Sequence, residues 1–199
     1  SFTMAKLAVM GGTITNTGII TDLDSLYLDA AFENFGVVES SNLYNAGNMT
    51  NEDIINTTNF YNNGGLLNYS GINSMNFNNA DTCENYGEIF IDDFTNMGYV
   101  NNKYRFNGTG DFLNMGEFYN VTDTAYVFTN DILNKDSVNH DAVLLNWGSI
   151  FAGNNFVNYD LVTGNANGFF CTGNYTANYG NMAGDFTFDD NTPPATEPY

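Results

Sequence analysis

The chain has 199 residues, 43% of them hydrophobic and 16% aromatic, which is enough apolar surface for a folded core and excludes an intrinsically disordered protein. Four Lys plus Arg stand against 23 Asp plus Glu, for a net charge of −19. A surface this acidic excludes binding to nucleic-acid backbones and to anionic membranes, since both require basic residues. No apolar run approaches the roughly 20 residues of a transmembrane helix, so membrane insertion is not expected.

The first predicted element is a strand over residues 2–10, where apolar side chains occupy both faces apart from one lysine. Residues 13–21 then predict a hairpin, with its turn at the triplet that begins at Asn16. Residues 22–32 have apolar side chains at helical spacing. Their match to a later repeat nevertheless favours a strand.

A sequence repeat occupies most of the remaining chain. Residues 85–118, displaced by 51 positions, match residues 34–67 without gaps. Asn-x-Gly triplets recur in both segments, beginning at Asn34, Asn45 and Asn63 in one and at Asn85, Asn96 and Asn114 in the other. We identify about four units of 44–51 residues, the last one incomplete. Periods in this range are typical of solenoids, propellers and arrays.

Each Asn-x-Gly triplet predicts a tight corner between two short strands. Gly adopts the left-handed backbone conformation without steric cost, and Asn is the other residue that tolerates it well. Stacked coils would bring successive asparagines into register, where their amides form hydrogen-bonded ladders. The sequence therefore predicts an all-β fold, a β-solenoid with Asn-x-Gly corners. A β-propeller or β-sandwich is the alternative, although a propeller would close poorly with three and a half blades, whereas a solenoid tolerates a partial repeat.

The chain divides into an N-terminal strand, residues 1–11, a repeat domain, residues 12–188, and a Pro-rich tail, residues 189–199. The strand is a candidate cap or donor of a contact to a neighbouring copy, and the tail is predicted to be extended. The candidate contact residues between copies come from these two segments: Phe2, Met4, Leu7, Val9, Pro193, Pro194 and Tyr199.

Paired carboxylates are the candidate metal ligands. They are Asp22 with Asp24 and Asp92 with Asp93. Hard oxygen donors bind calcium, which is therefore the one cofactor that the sequence suggests. No EF-hand loop accompanies these pairs, and solvated acidic corners are the alternative interpretation.

No catalytic constellation is recognisable. Lys103 and Arg105 could serve a polysaccharide lyase, but a role as counter-charges to the nearby pair of aspartates explains them more simply. The single histidine, His140, supports no triad. Cys83 and Cys171 fit no zinc pattern, and the sequence leaves open whether they pair. An enzyme acting on polysaccharides is therefore the least favoured hypothesis.

Aromatic and Met side chains occupy the middle of several triplets, where they would point either into the core or outward at the corner. They are Phe35, Tyr86, Met97, Met115, Trp147 and Tyr179. An outward row of such residues would be a stripe for binding a partner, and a row of Tyr could stack on sugar rings.

The Asn-x-Gly repeats of residues 12–188 resemble those of secreted bacterial surface proteins, both haemagglutinin-type adhesins and the Asn/Gly-rich repeat proteins of gliding and marine bacteria. This resemblance implies an extracellular β-solenoid with a structural or adhesive role. We therefore expect a secreted or cell-surface protein that assembles with copies of itself into a fibre, filament or sheath. The unpaired strand edges at solenoid ends would template that growth. A monomeric adhesin that binds glycans is the alternative.

Overall fold

Two parallel β-sheets wind around one core as a solenoid. The computed structural model describes residues 4–136, 141–173, 175–185 and 187–190. In these residues a 15-stranded and a 10-stranded sheet are formed, and every strand pairing is parallel. The predicted β-solenoid is thus confirmed. The propeller and sandwich alternatives are excluded, since both are built from antiparallel strands.

Each coil contributes one arm to each sheet. The main path of the larger sheet runs in the order β1 (Met4–Val9), β3 (Ile19–Leu28), β5 (Val37–Asn45), β7 (Ile55–Asn62), β9 (Gly71–Asn79), β11 (Glu88–Asn96), β13 (Arg105–Gly108), β16 (Tyr126–Thr129), β19 (Ser149–Ala152), β22 (Phe169–Thr172) and β25 (Thr187–Asp190). A branch that starts from β11 adds β14 (Asp111–Asn114), β17 (Asp131–Asn134), β20 (Asn155–Asn158) and β23 (Tyr175–Asn178). The smaller sheet contains β2 (Thr13–Asn16), β4 (Ala31–Asn34), β6 (Asn48–Asn51), β8 (Gly65–Asn68), β10 (Thr82–Asn85), β12 (Tyr99–Asn102), β15 (Glu117–Asn120), β18 (Val143–Asn146), β21 (Leu161–Gly164) and β24 (Asn181–Gly184).

The regular structural unit is a coil of 17 residues, which is the sequence separation of hydrogen-bonded partners such as Asn51 and Asn68. The 51-residue displacement found in the sequence therefore corresponds to three coils. Each coil has a long arm in the larger sheet and a short arm in the smaller one. β1 pairs with β3 as part of the first coil, and β25, which ends at Asp190, pairs with β22.

Residues 13–21 do not form the predicted hairpin. β2 pairs with β4 in the smaller sheet, whereas β3 pairs with β1 and β5 in the larger sheet. The corner at Asn16 thus joins strands on opposite sides of the core, and each strand finds its partner one coil away. The strand predicted for residues 22–32 is confirmed by β3, which ends at Leu28.

Two ladders of asparagines run along the corners, as predicted. One ladder lies at the ends of the short arms and comprises Asn16, Asn34, Asn51, Asn68, Asn85, Asn102, Asn120 and Asn146. The other lies at the ends of the long arms and comprises Asn45, Asn62, Asn79, Asn96, Asn114, Asn134, Asn158 and Asn178. Each Nδ2 donates to the Oδ1 of the asparagine in the next coil at 2.7–2.9 Å. Almost all of these amides are buried, and the ladders supply their hydrogen bonds.

The corner glycines are required by the close approach of neighbouring coils. A Cβ on Gly47 would lie 2.2 Å from the carbonyl oxygen of Ala30 in the preceding coil. Among the described residues, positive φ angles occur at Gly11, Gly12, Gly184 and Asp22. The predicted left-handed conformation is therefore wrong for corners such as that of Gly47. Gly occurs there because a side chain would collide with the adjacent backbone.

The solenoid has two halves of different regularity. In the regular half, residues 31–102, the coil length stays at 17 residues and the long arm is one continuous strand. In the irregular half, residues 103–184, the long arm is split in two, as in β13 and β14, and ladder partners are 18 to 26 residues apart. The extra residues are inserted between strands, so the inward-facing side chains still form one core.

Candidate functional sites on the solenoid surface

The aromatic residues in the middle of the triplets point outward. Phe35, Tyr69, Tyr86 and Trp147 are exposed at the corners that follow the short arms, and we call them the aromatic ridge. Tyr69 and Tyr86 stack on adjacent coils with ring centroids 5.1 Å apart. Polar or aliphatic residues interrupt the ridge at other coils, so it is a discontinuous row.

The basic side chains of the irregular half's first coil form local ion pairs. Lys103 Nζ lies 3.2 Å from Glu84 Oε2, and Arg105 Nη1 lies 3.1 Å from Glu88 Oε1. The predicted counter-charges, Asp92 and Asp93, are therefore not their partners. Glu88 lies 17 residues before Arg105, which is one coil, whereas Glu84 lies 19 residues before Lys103 and reaches it from the end of the preceding short arm.

Lys103 also contacts Tyr86, a residue of the aromatic ridge. The Lys103 Nζ donates to the Tyr86 hydroxyl and lies 4.0 Å from the centre of the Tyr86 ring. The hydrogen bond to Tyr86, followed by that to Glu84, raises the pKa of Lys103. A lysine held in its charged form by these contacts is a structural cation.

The structure does not bring the predicted calcium ligands into one group. Asp22 and Asp24 lie on β3, four strands from Asp92 and Asp93 on β11, which is about 19 Å at the usual strand spacing. The Thr109 hydroxyl donates to Asp92. The Asp111 backbone N–H donates to Asp93 Oδ1 at 2.9 Å. Calcium binding at these pairs stays a prediction.

A different group of carboxylates meets at an irregular corner. Asp136, Asp141 and Asp160 bring one carboxylate oxygen each within 4.8 Å of one another, and no other such group of three occurs in the described part of the chain. Burial, a hydrogen bond with Asp136 and the charges of Asp136 and Asp141 raise the pKa of Asp160 to about 6, although the Ala142 N–H opposes this. Carboxylates so arranged suit a hard cation.

This acidic corner was overlooked in the sequence, but a signal for it is present. Asp136 and Asp160 each replace Gly as the third residue of a triplet, after Asn134 and Asn158. Those two asparagines are adjacent members of one ladder. The residues that follow them are therefore stacked on neighbouring coils. His140 lies outside the described residues.

The two cysteines are not joined by a disulfide. Cys83 faces inward from the smaller sheet and is fully buried, which raises the pKa of its thiol to about 12. Cys171 lies on the larger sheet, several coils further along the chain. Cys83 thus behaves as a small core residue.

The candidate contact residues divide into three groups. Val9 is buried in the core of its own chain, and Leu7 is half-buried at the first coil. Met4 begins β1 and is in register with Leu23. The other four, Phe2, Pro193, Pro194 and Tyr199, lie outside the described residues.

The rows of inward-facing side chains are exposed to solvent where they begin, at the first coil. Ile14 begins a row that continues with Phe32 and Met49. Its side chain is 41% exposed, whereas Phe32 and Met49 are buried. Leu7, which starts another row, is half-buried, while its successor Leu26 is fully buried. The first coil therefore presents an apolar end face.

A groove follows the bend of the long arms from β3, across the regular half, to β13. At this bend the alternation of inward and outward side chains changes phase, between Ser40 and Leu43. The groove comprises two adjoining open cavities of about 360 and 330 Å³, which are both lined by Asn56 and Thr57. We call it the bend groove, and its other lining residues are Asp22, Leu23, Glu39, Ser40, Ser41, Thr58, Asn73, Ser74, Met75, Phe90, Ile91, Asp92, Asn107 and Thr109.

Comparison with protein-family models, curated proteins and solved structures gives no match to this chain. No helix of the described residues is long and apolar enough to cross a bilayer. The apolar end face and the bend groove are the two surfaces that indicate a function.

Proposed function

We propose that this chain is the structural subunit of a self-assembling extracellular fibre, filament or sheath, and that its partners are copies of itself. The observation that carries the proposal is the apolar end face at the first coil. The exposed Ile14 heads a row whose next member is fully covered, so the first coil has the surface of an interior layer without a layer above it. An apolar face of this kind is stabilised when a further coil covers it.

The strand edges at the two ends support the same conclusion. β1 and β2 end the sheets on one side, and β25, β24 and the branch strand β23 end them on the other. In the described residues no strand pairs with their outer edges. Because all strands are parallel, the edge at one end matches the edge at the opposite end of another copy. Such a contact is head-to-tail and does not close, so repeated contacts give a fibre.

The rows of side chains would continue across this contact. The row that begins at Ile14 ends at Met182 on β24, which is half-buried against the core. Docking β2 of one copy on β24 of the next would place Ile14 over Met182. Lys6 is exposed at the first coil and Asp185 in the last one, which adds opposite charges to the two ends.

The net charge of −19 opposes association of identical copies. Salt screens such repulsion, with a Debye length of about 8 Å at physiological ionic strength. Assembly should therefore be promoted by salt, whereas a contact held mainly by ion pairs would be weakened.

Negative-stain electron microscopy with a matched pair of variants tests the proposal. Ile14→Asp places a carboxylate on the end face, and Ile54→Asp makes the same change on the side of the solenoid, where Ile54 is 39% exposed. We expect regular filaments from the wild type in salt and from Ile54→Asp, but single particles from Ile14→Asp. Circular dichroism confirms that both variants are folded. Single wild-type particles under all conditions, or filaments from both variants, would contradict the proposal.

The extracellular location is part of the same proposal. The composition supports it, because Asn, Gly and Thr are abundant and basic residues are few. Immunogold labelling of the source cells checks the location. Label on the cell surface or on material outside the cell is expected, and label confined to the cytoplasm would overturn it.

A further inference from the structure

One side chain in the bend groove has an unusual setting. Phe90 points outward from β11 and is 39% exposed. In strand register it lies between Asn73 on β9 and Asn107 on β13. An exposed aromatic ring is thus bracketed along the solenoid axis by two amides, at strand spacings of about 4.8 Å.

The surroundings of Phe90 add further polar groups and one apolar group. Asp92 and Thr109 line the same cavity, and their side chains are joined by a hydrogen bond. Met75 also lines this cavity and is 56% exposed. The site therefore offers amide donors and acceptors, a carboxylate acceptor and a hydroxyl beside an apolar platform.

The rest of the bend groove is polar and carries no basic residue. Its lining consists largely of Asn, Ser, Thr, Asp and Glu side chains. Some of these are already ordered, because Asn73 Nδ2 donates to Asn56 Oδ1 at 2.8 Å. Acidic side chains without basic ones disfavour ligands that carry carboxylate or sulfate groups.

We propose that the bend groove binds a neutral glycan chain that lies along the solenoid axis. A pyranose ring has an apolar C–H face, which would pack on Phe90, and a rim of hydroxyl groups, which would pair with Asn73, Asn107 and Asp92. Binding sites commonly combine an apolar surface with a few placed polar groups in this way. This inference uses the side of the solenoid and is independent of assembly through its ends.

The length of the groove suits a chain rather than a single sugar. Its lining extends from Asp22 on β3 to Asn107 on β13, across six neighbouring strands. Five strand spacings of about 4.8 Å give roughly 24 Å. An oligosaccharide of several residues should therefore bind more tightly than the corresponding monosaccharide.

Isothermal titration calorimetry with defined sugars tests the inference. The probes are cellohexaose, maltohexaose and mannohexaose, with hexagalacturonate as the anionic comparison and glucose as the short one. Phe90→Ala is matched with Phe35→Ala, which removes an exposed ring from the aromatic ridge instead. Phe90→Tyr keeps an aromatic face at the site.

We expect at least one neutral hexasaccharide to bind, and glucose and hexagalacturonate to bind more weakly. Phe90→Ala should weaken binding by about tenfold or more, while Phe35→Ala leaves it nearly unchanged, and Phe90→Tyr should bind more tightly than Phe90→Ala. Three results would overturn the inference: no binding of any neutral probe, preference for the anionic probe, or equal affinity of Phe90→Ala and the wild type.

Discussion

The regular and irregular halves of the solenoid have the same ladder contacts and the same core, but they differ in the number of residues per coil. From Asn51 to Asn102 the ladder advances by 17 residues in every coil. From Asn102 to Asn146 it advances by 18 and then 26 residues, yet the amide contacts remain at 2.8 Å. Insertions are therefore accommodated between the strands, because the ladder amides and the inward side chains fix where each coil returns.

This difference also separates the surface features. The bend groove lies mainly along the long arms of the regular half, whose stacked strands give it a uniform wall, and it ends on β3 and β13 on either side of that half. The acidic corner of Asp136, Asp141 and Asp160 lies in the irregular half, beside an insertion. Regular coils build extended surfaces, whereas irregular corners bring together residues that are distant in sequence.

The largest expected effect comes from breaking the junction between the halves. Phe94 on β11 contacts the ring of Phe77 in the regular half and those of Phe106 and Phe112 in the irregular half, at centroid distances of 4.6–5.5 Å. Phe94→Ala should lower the free energy of unfolding by about 4 kcal/mol. Since each coil contacts mainly its neighbours, the halves should then unfold separately.

Urea unfolding followed by two probes measures this. Circular dichroism reports on all strands, and the fluorescence of the single tryptophan, Trp147, reports on the irregular half. The two curves should coincide in the wild type and separate in Phe94→Ala. Phe90→Ala, an outward change on the same strand, should cost less than about 1 kcal/mol. Coincident curves in Phe94→Ala would contradict the junction role.

Substitution of a ladder amide by a carboxylate should have the next largest effect. Asn62 is buried and donates to Asn79 Oδ1 at 2.7 Å and to the Thr82 carbonyl at 3.0 Å. Asn62→Asp removes both of these hydrogen bonds and places a buried carboxylate next to the two acceptor oxygens. The free energy of unfolding should fall by about 3 kcal/mol. Asn63→Asp, at the exposed neighbour, should stay within about 0.5 kcal/mol. Equal losses by urea unfolding at the two positions would refute the ladder's role.

The cost of an Asn→Asp substitution in a ladder should differ between the two halves of the solenoid. Asn146 accepts hydrogen bonds from Asn120 Nδ2 and Gly148 N, which an aspartate could still accept. It donates to the Phe169 carbonyl, and its register partner in the next coil is Gly164. Asn146→Asp should therefore cost about 1 kcal/mol less than Asn62→Asp by urea unfolding. A larger loss at Asn146 would contradict the assigned contacts.

A smaller effect is expected where one ladder starts. Asn45 Oδ1 is buried without a hydrogen bond, and its register partner in the preceding coil is the buried Leu28. Leu28→Asn would supply the missing donor and offset most of the lost apolar burial, for a net cost below about 1 kcal/mol. Leu28→Asp, which has the same shape without a donor, should cost several times more. Similar thermal stability of the two variants would contradict the prediction that an asparagine at position 28 extends the ladder by one coil.

The smallest effect concerns the acidic corner of the irregular half. The pKa of Asp160 is raised to about 6, so the folded state holds the proton more tightly than the unfolded state. Its ionisation therefore lowers stability as pH rises from about 4 to about 6 and has no further effect above that. Asp160→Asn should flatten this part of the Tm profile, and Asp29→Asn, at an exposed corner, should not. An unchanged profile in Asp160→Asn would contradict the cluster.

The sequence predicted the fold class because Asn-x-Gly corners repeat, but it concealed the coil length. Several ladder asparagines are not followed by Gly at the third position, as in Asn51-Glu52-Asp53. Their corners were therefore not recognised, and three coils looked like one unit. The run Asn62-Asn63-Gly64-Gly65 contains two overlapping triplets, and burial of Asn62 shows that the alignment through Asn63 was one residue out of step.

The candidate sites were less predictable, because they depend on that coil length. Once a spacing of 17 residues is known, Asn56, Asn73, Phe90 and Asn107 form an evenly spaced row, and the setting of Phe90 can be found from the sequence. The acidic corner could be anticipated only in part. Asp136 and Asp160 follow adjacent ladder positions, but Asp141 reaches them across an insertion.

X-ray fibre diffraction from aligned filaments tests the central claim, head-to-tail stacking of coils, most directly. If copies stack end to end, their strands lie perpendicular to the fibre axis throughout. A reflection at about 4.8 Å is then expected on the meridian. Filaments with this reflection on the equator would contain solenoids lying across the axis and would contradict head-to-tail stacking.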